Sequence, residues 1–465
     1  MSNLIPGTWI ECKLGDVVAI VRGVTFPASS KVHEPTDGYV ACLRTSHIQE
    51  KLLWKNIYYI PNSYVKGTDR LAKRNDILMS MANSSTLVGK VCIKETDREA
   101  CFGAFLSAIR SEVISHAYVY YFLKSSTAQQ SLRSSASQTV NIANISVAAL
   151  ENLLLPLAPL AEQTRIAAKL DELLAQVDTL KARIDSIPAL LKRFRQSVLA
   201  AAVSGRLTEE WRAKNGAKIE VNVSAGETSE EFAWPIVRLG DVALDFSYGS
   251  SAKSQRAGDI PVLRMGNIQD GRLVWDDLVF SSNPEELKKY SLQVGDVLFN
   301  RTNSPELVGK TATYKGEQPA IYAGYLIRVR CSERLISDFL NYCLNSPQGK
   351  DYCWQVKTDG VSQSNINAKK LADFRFGLPS TEEQTEIVRC VDQLFSFAER
   401  LEARISDARI RIDRLTQSIL AKALRGDLVP QDPNDEPADM LLDRIKAQRA
   451  AAPKDKRGRR STTEG

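Results

Sequence analysis

Arg301, Asn300 and Asn267 are the side chains of this chain whose geometry best suits a definite chemical task. A guanidinium grips the major-groove edge of guanine through two parallel hydrogen bonds, and a carboxamide does the same to adenine. Other chemistries find less support. Ser304 to Thr311 (SPELVGKT) ends like a phosphate-binding loop, but serine stands where its first glycine is required. No Gly-x-Gly-x-x-Gly run opens a strand-to-helix turn, so a dinucleotide or adenosyl site lacks its fingerprint. His33, His47 and His116 join no Ser/His/Asp or Cys/His set, and the eight cysteines form no Cys-x-x-Cys pair. Neither a zinc site nor any other metal site is expected, and the thiols suit a reducing cytoplasm. These absences favour a binding subunit over an enzyme.

The elements that must position those side chains occur twice. Gln163 to Gly205 and Gln384 to Gly426 carry apolar residues in alternating steps of four and three. The first seam holds Ile166, Leu170, Leu173, Val177, Leu180, Ile184, Ile187, Leu191, Phe194 and Val198. The second holds Ile387, Val391, Leu394, Ala398, Leu401, Ile405, Ala408, Ile412, Leu415 and Ile419. This narrow stripe is a coiled-coil seam, on helices of roughly 60 Å at 1.5 Å per residue. Each closes on a glycine, and Pro188 predicts a kink or short break in the first.

The segments ahead of the helices match as well. WIECKLGDV (9–17) parallels WPIVRLGDV (234–242), and LRTSHIQEKLLW (43–54) parallels LRMGNIQDGRLVW (263–275) with one residue inserted. DILMSMANSSTLVGK (76–90) and DVLFNRTNSPELVGK (296–310) agree at eight of fifteen positions, and VNIANI (140–145) answers VSQSNI (361–366). The fold class expected is mixed α/β: two globular α/β domains separated by two long antiparallel coiled-coil helices, in a pseudo-two-fold internal repeat. Strands are expected at Val17 to Val21, Asn56 to Ile60 and Asp296 to Phe299, and helices at Ser115 to Leu123 and Ile336 to Leu344.

With 43% apolar residues and a net charge of +6, the composition suits a large globular protein but does not establish nucleic-acid binding by itself. No stretch has the length of a membrane span, and the start lacks the pattern of a signal peptide. Only the tail is densely basic, with Lys446, Arg449, Lys454, Lys456, Arg457, Arg459 and Arg460, and its composition predicts disorder beyond about residue 451.

The doubled order of parts, with helices opening at Leu160-Ala161-Glu162-Gln163 and Thr381-Glu382-Glu383-Gln384, resembles the specificity subunit of type I restriction–modification systems. The helix ends, Leu191 to Leu199 with Gly205 and Leu415 to Ala423 with Gly426, are similar to the enterobacterial A-type branch. The resemblance implies a target-recognition domain at 1–160, a conserved helix at 161–206 and a linker at 207–231. It implies a second recognition domain at 232–380, a second helix at 381–427 and a tail at 428–465. Each domain would read half of a split double-stranded DNA target, and the helices would measure the spacer. Two modification subunits with S-adenosylmethionine and two ATP- and Mg-dependent restriction subunits would carry the chemistry, so this chain needs no cofactor. The competing readings are a coiled-coil scaffold that reads no DNA and a self-sufficient methyltransferase or nuclease.

If the domains read different bases, shared residues build the frame and differing ones do the reading. The differing turns set Thr45, Ser46 and His47 against Met265, Gly266 and Asn267, and Ser80, Met81 and Thr86 against Asn300, Arg301 and Glu306. Ser84, Ser85 and Asn303 lie in the same loops, and Gln363 with Asn141 to Asn144 in a later pair. Lys90, Lys310, Arg44 and Arg264 are shared and basic, which suits phosphate positioning. For each residue the alternative is a local hydrogen bond in a solvated loop.

Overall fold

The computed structural model describes residues 5–138, 142–215 and 234–451. The chain divides into two units, one from Met1–Ile184 with Asp407–Gly465 and one from Asp185–Ser406. Each unit is built on the same plan.

In the first unit, Ala19–Arg22, Leu106–Arg110, Ile77–Ser80 and Val91–Ile93 form an antiparallel sheet in that order. Beside it lies a three-stranded sheet in which Tyr39–Leu43 pairs antiparallel with Tyr58–Pro61 and parallel with Cys101–Phe102. The second unit repeats the first order with Ala243–Tyr248, Leu326–Cys331, Val297–Asn300 and Thr311–Thr313. It repeats the second with Val279–Ser281, Ile260–Leu263 and Ile321–Tyr322. The central strands are buried along their whole length, which is why ILM and VLF read as continuous apolar runs. The expected helices begin one residue late because Ser115 and Ile336 are their caps; the Ser115 hydroxyl accepts the Tyr118 N–H. The strand expected at Val17 starts at Ala19, since Leu14–Val17 makes one helical turn that buries Leu14 and Val17.

The long helices span Leu160–Val203 and Thr381–Leu424. Gly205 and Gly426 stop them at φ 81° and 78°, a left-handed conformation that costs glycine little. The first helix continues through Pro188 without a break. The proline removes one ladder hydrogen bond of a 44-residue element, and buried Leu191 on its C-terminal side keeps that turn packed. Lys181 pairs with Asp413 in the first unit, and Arg195 holds Glu402 through two bonds in the second. Ile166 and Leu170 share a core with Leu420 and Ala423 in the first unit, and Val203 shares one with Ile387 in the second, so within each unit the helix segments run antiparallel.

Ile166, Leu170, Val177, Leu191, Val198, Ile387, Val391 and Ala398 are buried, and Leu173, Ile184, Leu394, Leu401, Ile405 and Ile412 are half-buried. Leu180 and Leu415 depart from the expected seam, at 48% and 47% exposure. A helix near 3.6 residues per turn drifts away from a strict heptad stripe, so regular spacing does not keep every position inward.

Each helix is fastened to its globular part by the same four bonds. Trp9 donates its indole N–H to Glu162, and Trp234 donates to Glu383. Gln163 accepts the Ser115 N–H and donates to the Ala158 carbonyl; Gln384 accepts the Ile336 N–H and donates to the Pro379 carbonyl. Tyr121 donates to Asp171, and Tyr342 to Asp392.

The segment expected as a linker begins with a helical turn at Arg206–Thr208 and a helix at Glu209–Asn215; residues 216–231 lie outside the described residues. The tail is folded as far as Ala451. Its helix Ala438–Ala451 buries Leu441, Leu442 and Ile445, and Arg449 donates to the Gly15 and Val18 carbonyls. Arg449 is thus a packing residue, whereas Lys454, Lys456, Arg457, Arg459 and Arg460 lie outside the described residues, as do Val140 and Asn141.

Candidate nucleic-acid interface

In the second unit, Arg301 sits where three chain segments meet. Its N–H bonds the Tyr325 carbonyl at 3.0 Å, and its carbonyl accepts the Ile366 N–H at 2.9 Å. The first unit builds the same junction around Met81, whose N–H bonds Phe105 and whose carbonyl accepts Ile145, both at 2.8 Å. Backbone and register are the same; the side chain differs.

Around Arg301 opens a cavity of about 540 Å³ lined by Lys253, Arg264, Arg301, Tyr325 and small residues of the 250–254 segment. Among the described residues its lining holds three cations and no carboxylate, an arrangement suited to an anion, with Arg264 also paired to the exposed Asp277 carboxylate at 3.3 Å. The Arg301 guanidinium lies 4.7 Å from the Tyr248 ring centre and donates to the Gly324 carbonyl. Arg264 is anchored through the Asp277 carbonyl, as Arg44 is through that of Asn56. Asp277 and Asn56 adopt positive φ, so the two arginines also clamp strained turns. A second cavity, about 840 Å³, sets Lys192, Lys310 and Lys350 among Asp270, Glu306 and Glu402; its mixed signs give no preference for a polyanion.

Four expected readers are turned inward in the structure. His47 and Asn267 are buried, and each accepts the N–H of the arginine three residues earlier, at 3.1 Å and 2.9 Å. They close the same helical turn, and burial with the neighbouring Arg44 lowers the pKa of His47, favouring its neutral form. The local hydrogen bond is thus the role seen for both. Ser80 and Asn300 end the buried central strands, withdrawn from solvent. The carboxamide of Asn300 has no hydrogen-bond partner among the described residues.

The remaining expected residues stay accessible. Thr45, Ser84 and Asn303 are half-buried, and Ser46, Ser85, Thr86 and Gln363 are exposed. Asn83 and Asn303 each accept the N–H of the following serine, a matched turn that fixes both loops. Lys90 and Lys310 donate to Gln49 and Gln269, again as a pair. Gln363 lies at the tip of the hairpin formed by Thr358–Asp359 and Ser364–Asn365, whose second strand pairs with Thr302–Asn303.

The sequence reading missed Lys253, Tyr248 and the aromatic pair Phe105 and Tyr325 at this surface. Phe105 and Tyr325 are 63% and 49% exposed at equivalent turns. The signal was available: CFGAFL (101–106) and IYAGYL (321–326) lie at the offset that also aligns Asp76 with Asp296.

Comparison with known proteins agrees with this doubled construction. The family model for the type I restriction modification DNA specificity domain matches residues 6–189 and again 233–408. The chain is 34% identical to the StySPI specificity subunit of Salmonella potsdam over 463 residues, covering 96% of this chain and 97% of that one. It is 33% identical to the EcoKI specificity subunit of Escherichia coli K12 over 466 residues, covering 97% of each. The HsdS crystal structure from Thermoanaerobacter tengcongensis shares the fold at TM-score 0.53 and 20% identity, covering 91% of this chain and 98% of that one. A chain from a structure of type I R-M complex assembly does so at TM-score 0.67 and 20% identity, covering 91% and 99%. A repeated recognition module, matched twice by one family model and aligned almost end to end with its curated members, places this chain in the family of type I restriction–modification DNA specificity subunits.

Proposed function

We propose that this chain is the non-catalytic, DNA-reading subunit of a type I restriction–modification complex. The observation that carries the reading is the junction built twice on one backbone plan with Met81 in one copy and Arg301 in the other. A frame kept constant under a changing side chain is what two readers of different half-sites require. On this reading the domains at 1–160 and 232–380 each contact one half of a bipartite duplex, with Arg301 gripping guanine and Lys90, Lys310, Arg44 and Arg264 positioning phosphate. Thr45, Ser46, Ser84, Ser85, Thr86, Asn303 and Gln363 contribute further contacts from the loops around them.

The helices at 161–206 and 381–427 set the unread spacer and dock two modification subunits. Exposed Leu180, Leu190, Phe397, Ile410 and Leu415 give these helices apolar surface for that purpose. The partners hold S-adenosylmethionine, methylate adenine after drawing it from the stack, and recruit two restriction subunits that use ATP and Mg. The complex works in the cytoplasm; no helix of the described residues is long and apolar enough to cross a membrane.

Methylome sequencing of a host carrying this chain with its modification subunit tests the reading. The expected result is adenine methylation in one split motif, with a spacer that changes when the helices are lengthened by whole turns while both half-sites persist. A continuous motif, or a spacer indifferent to helix length, overturns it.

A further inference from the structure

Each unit gathers lysines from its recognition loop, its domain helices and its long helix around one carboxylate. In the first unit Lys124 pairs with Glu50 at 3.1 Å, and Lys90 donates to Gln49, the residue before it. The charge of Lys124 first, against desolvation, and then those of Lys181 and Lys90 lower the pKa of Glu50. In the second unit Lys310 donates to Gln269, which Asp270 follows, and Lys192, Lys310 and Lys350 line one cavity with that aspartate. Desolvation first, and then the charges of Lys192 and Lys310, lower the pKa of Lys350 against the pull of Asp270.

The anchors are matched in the repeat, Gln49-Glu50 with Gln269-Asp270 and Lys90 with Lys310, but the other lysines are not. Lys124 ends the helix His116–Lys124 and Lys350 lies within Pro347–Val356, while Lys181 and Lys192 stand at different points of one long helix. The charge recurs where the residue does not, so the repeat alone does not account for it. Three ammonium groups repel one another more than a single carboxylate offsets. The cavity of the second unit is mixed in sign as a whole, yet Arg195 and Lys315 there are held by Glu402 and Asp338. Glu306, exposed at the same cavity, reduces the excess around Asp270 without removing it. The Lys192 and Lys350 amines have no hydrogen bond or ion pair among the described residues.

We propose that Lys181 with Lys90 and Lys124, and Lys192 with Lys310 and Lys350, each grip a backbone phosphate of the duplex on the spacer side of its half-site. The proposal rests on the DNA-reading function above and deepens it: the long helices hold the spacer as well as measure it. A phosphate is the same in every sequence, so both copies can keep one charge pattern while their reading positions differ. One lysine of each group comes from the reading loop and one from the measuring helix. The phosphate they share is therefore the one where half-site and spacer meet.

The test uses the full chain purified with its modification subunit, and two duplexes: one carrying the mapped motif and one with a single base pair changed at a read position. Lys181→Gln and Lys192→Gln should each weaken binding to both duplexes by the same factor, and that disadvantage should shrink roughly 3- to 4-fold between about 50 and 200 mM salt, the share of one phosphate contact. Lys181→Arg and Lys192→Arg should bind like the parent. An uncharged methylphosphonate at the spacer phosphate flanking a half-site should weaken the parent and cost the matching glutamine variant nothing further. Lys192 is exposed and Lys181 makes only an exposed ion pair with Asp413, so thermal unfolding should match the parent's.

A salt dependence equal to the parent's overturns the proposal, and so do methylphosphonates that weaken variant and parent alike. A loss confined to the motif duplex overturns it by making the lysine a base reader, and failure to assemble with the modification subunit does so by making the cluster a protein contact. If the unaltered complex does not distinguish the two duplexes, the DNA-reading function itself has failed, and that result is separate from any effect at Lys181 or Lys192.

Discussion

Met81 and Arg301 stand at the same point of two copies of one module, yet Met81 is a buried core residue and Arg301 reaches a cationic cavity. The backbone bonds around them are the same. The pair shows how a module can change what it reads without changing how it folds: the reading position directly follows a strand whose residues Ile77 to Met79 and Val297 to Phe299 carry the core. Differences are concentrated where a side chain leaves the sheet. Identities are concentrated where a polar group holds the frame, as Trp9, Glu162 and Gln163 do in one unit and Trp234, Glu383 and Gln384 in the other.

The frame is not equally strong in both copies, and its buried ion pairs offer the largest effect. Asp76 receives Arg110 through two bonds, both side chains are buried, and Arg110 also donates to the Leu71 carbonyl. Asp296 receives Arg330 through one bond, and that arginine is 32% exposed. Removing one partner strands the other charge, so Asp76→Ala should cost about 3–5 kcal/mol where the abandoned arginine is buried. Asp296→Ala should cost less, about 1–3 kcal/mol, because water reaches Arg330. Urea unfolding of the full chain measures both; an equal or larger loss for Asp296→Ala would show that the two frames do not differ in this way.

The reading position separates the copies more directly. Met81→Ala should destabilise the chain by about 2–5 kcal/mol, the cost of emptying a packed site, because Met81 is only 5% exposed. Arg301→Ala should leave unfolding nearly unchanged but lower the affinity of the complex for its duplex by about 1–3 kcal/mol and relax one base position. Uniform weakening at every position would make Arg301 a phosphate contact, and no change would remove it from the interface.

Much of this was legible in the sequence because repeats expose what a single copy hides. The helices, their glycine stops and the matched blocks could be read directly, since periodicity and local terminators are properties of adjacent residues. Phe105 and Tyr325 were not found, although they occupy matched places, because an aromatic in an apolar run reads as core until the sheet shows which way it faces. His47 and Asn267 show the opposite case. Both can match a base edge, but their first available partner is the N–H three residues earlier, and an intramolecular bond that closes a turn withdraws the side chain from any ligand. The Arg110 and Arg330 ion pairs escaped because each spans 34 residues, a separation that no local pattern reports.

The smallest difference between the copies concerns their two buried glutamates. Glu383 receives Trp234, Thr208 and the guanidinium of Arg212, whereas Glu162 receives Trp9 and Gln431, forms no ion pair among the described residues and feels Arg165 only through space. Burial raises the pKa of Glu162, against the hydrogen bonds from Trp9 and Gln431 that lower it. A carboxyl whose folded pKa lies above its unfolded value favours the folded state when protonated. That contribution is fully present below the ordinary glutamate range and is lost as pH rises through the folded pKa. Glu162→Gln removes the titration while keeping an acceptor for Trp9. Unfolding temperatures measured in steps from the acidic side of the glutamate range to neutral pH should therefore show the variant gaining on the parent as pH rises. A difference that stays constant, or that moves in favour of the parent, would mean that the hydrogen bonds from Trp9 and Gln431 offset the burial of Glu162.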